Sequence, residues 1–139
     1  MPEPEFKDVY VDANGISFHC VTAGEGPSLC LCLHGFPESW YSWRHQFQAL
    51  ADAGYHAVAP DMRGYGDSDK PRAVDAYNQA DVTNDIIGLI PALGYETAVV
   101  FGHDWGAPTA WGCALHHPER ITAVGALSVP FSRALTRHR

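Results

Sequence analysis

A chain of 139 residues, 46% apolar and 12% aromatic, is long enough for one packed core and short for two. Its formal charge of −7 is spread along the chain, which disfavours nucleic acid and anionic membranes, since both call for clustered Lys and Arg; the expected partner is a small molecule. No apolar run approaches the ~20 residues of a membrane span, and the acidic opening Met1-Pro2-Glu3-Pro4-Glu5 is the reverse of a signal peptide's basic start, so a cytoplasmic protein with no membrane association is expected.

Phe6 to Asp12 and Ile16 to Thr22 flank Ala13-Asn14-Gly15, and Asn-Gly takes the left-handed backbone of a tight turn, which predicts an antiparallel hairpin. Leu29 to Leu33, His56 to Pro60, Ala98 to Phe101 and Ile121 to Val129 are nearly all apolar, as suits strands buried on both faces of a parallel sheet. Between them, Tyr41 to Ala53, Asn78 to Leu93 and Trp105 to His116 carry apolar residues at helical spacing and stop at Gly54, Gly94 and Pro118. The predicted class is α/β, with a mostly parallel sheet behind an antiparallel first hairpin and helices crossing between strands. Cys20, Cys30, Cys32 and Cys113 follow no metal or disulfide spacing, and Cys30 and Cys32 lie in an apolar run like small hydrophobes, which points to a reducing setting.

The segment Val99-Val100-Phe101-Gly102-His103-Asp104-Trp105-Gly106-Ala107 takes a buried strand into a helix through Gly-x-Asp-x-Gly, the pattern of a nucleophile elbow. Small residues two before and two after the nucleophile let the backbones pack closely, and Gly102 and Gly106 meet that need. Asp104 stands where serine is usual. A carboxylate at a helix N-terminus is held ionised and forms an ester when it attacks. The simpler alternative is that Asp104 only caps the helix. Leu31-Cys32-Leu33-His34-Gly35-Phe36-Pro37-Glu38-Ser39-Trp40 runs a second buried strand into a loop whose Phe36 amide can converge with the Trp105 amide on the oxygen that turns negative in ester hydrolysis. Taken alone, His34-Gly35 equally fits a histidine bonded to backbone; paired with the elbow it carries the signal. Asp61-Met62-Arg63-Gly64-Tyr65-Gly66-Asp67-Ser68 reads as structural. Its Gly-x-Gly lacks the rest of a dinucleotide fingerprint, no Walker sequence occurs, and the eight histidines show no zinc-ligand spacing, so no cofactor and no metal are expected.

On these motifs the chain resembles the epoxide hydrolases of the soluble and bacterial type, within the α/β-hydrolase fold. The resemblance runs over nearly the whole chain. It is carried by His34-Gly35-Phe36-Pro37-Glu38-Ser39-Trp40-Tyr41-Ser42-Trp43-Arg44 and Gly102-His103-Asp104-Trp105-Gly106, with Pro118-Glu119-Arg120 and Ser128-Val129-Pro130-Phe131 in support. It implies opening of an epoxide to a vicinal diol through an ester on Asp104, with oxyanion amides from Phe36 and Trp105, a cis Phe36-Pro37 bond, and a substrate pocket lined by Phe36, Pro37 and Trp105. Water is the second substrate.

Members of that family continue with a helical cap bearing paired tyrosines, then strands carrying a charge-relay acid and a general-base histidine. The resemblance therefore implies residues 1–139 as the N-terminal part of one hydrolase core domain, with the remainder in a longer or separate chain, and alkylation at Asp104 without turnover when the chain stands alone. The strand from Ile121, internal in that fold, would be an exposed apolar edge. Two other readings stay open: a haloalkane or haloacid dehalogenase with the same Asp nucleophile, distinguished by a halide-binding pair in place of cap tyrosines, and a non-catalytic binding module.

Overall fold

The computed structural model describes residues 6–36 and 38–127. Six strands form one mixed sheet in the order β1-β2-β4-β3-β5-β6. Strands β1 (Lys7–Ala13) and β2 (Ile16–Ala23) pair antiparallel from Lys7 opposite Thr22 to Ala13 opposite Ile16. Asn14 (φ 51°) and Gly15 (φ 77°) make the turn between them, both left-handed as the twist of a two-residue hairpin demands. Strand β2 also pairs antiparallel with β4 (Tyr55–Pro60). Strands β3 (Ser28–Leu33), β4, β5 (Ala98–His103) and β6 (Ile121–Leu127) run parallel. The α/β class and the antiparallel start expected from the sequence are both present.

Helices cover both faces, and side-chain alternation along β3 shows how. Leu29, Leu31 and Leu33 point into a core shared with Phe18, Val58 and Val100 and roofed by Ile86, Leu89 and Ile90 of α2 (Gln79–Ala92) and Ala110 and Cys113 of α3 (Gly106–His116). Cys30 and Cys32 point the other way, into a core with Val21, Ala57 and Ala59 closed by Trp43 and by Phe47 of α1 (Phe47–Asp52). All four cysteines are buried free thiols, packed as small hydrophobes.

From β3 the chain leaves by α1 on one face toward β4; from β5 it leaves by α3 on the opposite face toward β6. Beyond the C-terminal ends of β3 and β5 a crevice therefore opens, the place where open α/β sheets bind ligands.

One expected element is broken in two. In place of a continuous helix from Tyr41 to Ala53 there is a 3-10 turn over Trp40–Trp43, capped by Ser39 Oγ accepting from the Tyr41 amide, and then the separate α1. Aromatic packing forces the break. Trp43 is buried against Phe101, Trp40 stacks on Phe47 at 6.4 Å between ring centroids, and Tyr41 stays outside with the Arg44 guanidinium 3.8 Å over its ring. Trp43 and Trp40 thus serve packing.

Helix α2 begins at Asn78, whose side chain accepts from the Asp81 amide, and ends in paired bonds from Gly94 N to Pro91 O and from Tyr95 N to Ile90 O. Gly94 holds φ 91° and an added Cβ would meet nothing within 4 Å. Gly94→Ala is accordingly expected to cost only the backbone term, about 1–2 kcal/mol, in urea unfolding. No loss would mean that the turn relaxes freely.

Strand β6 is the last of the sheet among the described residues, with Thr122, Ala123 and Leu127 exposed. No helix among the described residues is long and apolar enough to cross a membrane.

Candidate active site

The turn from β5 into α3 places Asp104 at φ 55°, one of two non-glycine residues with positive φ among the described residues. The other, Asn14, belongs to the hairpin turn. Holding a side-chain-bearing residue there costs on the order of 1–3 kcal/mol, so the surrounding packing must impose it. Gly102 and Gly106 let that packing form. A Cβ on Gly102 would strike the Gly106 carbonyl, and one on Gly106 would come within 2.5 Å of the Leu33 oxygen and 2.7 Å of the His34 oxygen. Pro108 sits in the first turn of α3, where no backbone donor is needed.

The Asp104 carboxylate lies at the start of α3, whose N-cap residue Trp105 makes no side-chain cap bond of its own. It also turns to the loop after β3, where Oδ2 accepts from the Phe36 amide at 3.1 Å. That contact and a bond from the Trp105 amide, with a lesser contribution from the nearby His103, hold its pKa below the ordinary 3.8 against the opposing effect of burial. Gly35 makes the approach possible, because a Cβ there would lie 2.8 Å from Asp104 Oδ2. The side chain thus does more than meet the start of the helix: it ties the elbow to the loop after β3.

The loop itself is tied down at several points. Gly35 N donates to Glu38 Oε1 at 2.9 Å and Glu38 N donates to Gly35 O at 2.9 Å, closing a tight turn. His34 is buried with Nδ1 2.8 Å from Gly35 O, while its Nε2 accepts from the Met62 amide at 2.9 Å. One nitrogen donates and the other accepts, so the ring is neutral, in keeping with a pKa lowered by burial. Glu38 also reaches His103 Nδ1 at 3.5 Å, a pair absent from the sequence reading.

The segment from Asp61 to Ser68 takes part as well. Asp61 is buried; its Oδ1 accepts from Trp40 N at 2.9 Å, and its Oδ2 accepts from Asp67 N at 3.1 Å and faces His19 Nδ1 at 2.7 Å. His19 Nε2 meets Asp8 Oδ1 at 2.7 Å. Burial lowers the His19 pKa, but bonds to Asp61 and Asp8 outweigh it and raise the net value. Ligating atoms of His19, Asp61 and Asp67 lie within 4.8 Å of one another, and the cluster is closed by its own hydrogen bonds.

Beside this turn is a cavity of about 170 Å³ lined by His34, Gly35, Tyr65, Tyr77, Trp105 and Thr109, among others. Trp105 and Phe36 are 58% and 61% exposed, so two large apolar side chains stand open to solvent next to Asp104. Tyr65 packs edge-on to both His34 and Phe36. Of the residues predicted for the site, Asp104, Phe36 and Trp105 come together; Pro37, the Phe36-Pro37 bond and Ser128 to Phe131 lie outside the described residues. Tyr65, Tyr77 and Thr109 were missed, although Tyr65 follows the C-terminal end of a parallel strand, the position that could have flagged it.

A family model described as the alpha/beta hydrolase fold matches residues 29–135. The chain belongs to the α/β-hydrolase fold family. Among curated α/β hydrolases it is 54% identical over 121 residues to epoxide hydrolase A of Mycobacterium tuberculosis, covering 86% of this chain and 38% of the relative. It is 50% identical over 125 residues to an epoxide hydrolase of Caballeronia sordidicola, covering 90% and 38%. The crystal structure of epoxide hydrolase A from Mycobacterium thermoresistibile superposes with a TM-score of 0.89 at 48% identity, covering 92% of this chain and 40% of that one. An epoxide hydrolase from Vigna radiata gives 0.88 at 48% identity, covering 92% and 42%. The chain thus spans about two fifths of the length of the α/β hydrolases it matches.

Proposed function

We propose that this chain supplies the nucleophile half of an epoxide hydrolase, as the N-terminal part of one hydrolase core domain, with Asp104 as the attacking carboxylate and the Phe36 and Trp105 amides as the oxyanion donors. The observation that carries the reading is the bond from Phe36 N to Asp104 Oδ2, made between loops 68 residues apart. An amide on Oδ2 leaves Oδ1 to attack. The Oδ1–carbon bond forms as the epoxide carbon–oxygen bond breaks, and the released oxygen takes a proton. Oδ2 becomes the ester carbonyl oxygen, already in contact with the amide that stabilises it when water attacks the carbonyl carbon. That step would regenerate the carboxylate and release a diol.

The epoxide hydrolases that this chain resembles at about half of its positions favour an epoxide over a haloalkane. Trp105 and Phe36 offer the substrate apolar walls. The hydrolysis step needs a general base. His34 cannot serve, because both ring nitrogens are engaged; the base, the acid and the tyrosines that would protonate the epoxide oxygen are assigned to the part of the enzyme that this chain does not span. A small-molecule epoxide and water in the cytoplasm, with no cofactor or metal, complete the reading.

Incubation with a reactive aryl epoxide followed by intact mass measurement tests it. One adduct per chain is the expected result; adducts in several copies, or none, would count against it. The electrostatics give a second check. A carboxylate held by two amides stays ionised until the pH falls below its depressed pKa, so the Asp104 carboxyl carbon should titrate with a midpoint below 3.8 by NMR. A midpoint above 3.8 would remove the grip of the amides from the explanation.

A further inference from the structure

Two consecutive residues after β4 hold the two ends of the loop that presents the Phe36 amide. At the near end, Met62 N donates to His34 Nε2 at 2.9 Å, and His34 in turn fixes the Gly35 carbonyl through Nδ1 at 2.8 Å. At the far end, Trp40 N donates to Asp61 Oδ1 at 2.9 Å. Between these points the loop closes on itself through the Gly35 and Glu38 backbones.

Asp61 is itself built in. It is 2% exposed, its Oδ2 is engaged by Asp67 N and His19 Nδ1, its amide donates to His19 O at 2.8 Å, and a Cβ on Gly66 would strike its carboxylate. His19 and Ser68 brace it from β2 and from the end of the segment, Ser68 Oγ donating to Asp61 O and accepting from His19 N. A buried carboxylate with this many partners has one geometry available. Its remaining oxygen is spent on the loop.

We propose that Asp61 is a positioning residue for the nucleophile's oxyanion loop: by holding Trp40 N while its neighbour Met62 holds His34, it sets where the Phe36 amide meets Asp104. The inference rests on the function proposed above, but its test separates the two. A displacement of about 1 Å at reacting groups slows chemistry by as much as about 100-fold, so loss of one of two anchors is expected to slow alkylation of Asp104 about tenfold.

The experiment uses the full 139-residue chain, an aryl epoxide, and the amide resonance of Phe36, with Asp104→Ala marking where that resonance lies when the carboxylate is gone. Asp61→Ala is expected to move the Phe36 resonance toward the Asp104→Ala position and to slow alkylation. Because Asp61→Ala can fail to fold, a second pair isolates the anchor. Trp40→Pro removes the amide donor at the first position of a helical turn, where proline is tolerated, and Ser39 before it is already extended (φ −153°, ψ −172°) as a residue preceding proline must be. Trp40→Ala removes the ring and keeps the amide. Trp40→Pro should shift the Phe36 resonance and slow alkylation beyond whatever loss of the ring alone causes in Trp40→Ala. A folded Trp40→Pro chain with the same Phe36 resonance and alkylation rate as Trp40→Ala would overturn the proposal. A parent chain that is never alkylated, but whose Phe36 resonance follows Asp61 and Trp40 as described, would sink the epoxide reading and leave the positioning role standing.

Discussion

Replacing Asp104 with asparagine is expected to abolish covalent capture of an aryl epoxide while leaving the chain folded. Asparagine is close in size, tolerates the left-handed backbone at φ 55°, and keeps an oxygen to accept from the Phe36 amide, so the elbow has no reason to rearrange. What it lacks is a negative oxygen to attack with. The loss in alkylation rate should be about 10³-fold or more, the scale on which removal of a covalent nucleophile acts. Circular dichroism and the amide spectrum would show the fold retained. An asparagine variant that is alkylated at the parental rate would place the reactive group elsewhere.

The largest effect on stability is expected at a different carboxylate. Asp85, on α2, is 1% exposed and receives both Arg63 Nε and Nη2 at 2.9 and 2.8 Å, and Asn14 Nδ2 at 3.0 Å; Arg63 Nη1 goes on to the Ala76 carbonyl. The network joins the hairpin turn, the segment after β4 and α2 in one place. Removing one partner of a buried pair strands the other charge, so Asp85→Ala should cost about 3–5 kcal/mol in chemical denaturation, a large share of the roughly 5–15 kcal/mol that a domain has. The exposed pair of Lys7 and Glu25, 3.5 Å apart, offers a contrast: Glu25→Ala should change stability by about 0–1 kcal/mol. Equal losses at the two sites would show that burial does not set the cost here.

Much of the fold could be read from local chemistry. Asn14-Gly15 encodes the hairpin turn, and Gly102, Asp104 and Gly106 encode the elbow, because each depends on backbone angles or close approach that few residues permit. The apolar runs mark the parallel strands but not their order: β3, β4 and β5 are alike in composition, and nothing local says that β3 lies between the other two. The break between Trp43 and Phe47 was equally hidden, since helical spacing continues across it and only packing on the sheet decides. The same reason hid the part played by Asp61 and Met62. Their contacts reach Trp40 and His34, 21 and 28 residues away, and such pairings leave no periodic trace in sequence. Glu38 and His103 meet across 65 residues in the same way.

Peptide mapping of the alkylated chain tests the role of Asp104 most directly. After reaction with an aryl epoxide and proteolysis, tandem mass spectrometry should find the modification on Asp104, with the buried thiols of Cys20, Cys30, Cys32 and Cys113 untouched. Modification spread over exposed histidines and carboxylates, with Asp104 no more reactive than the rest, would contradict it.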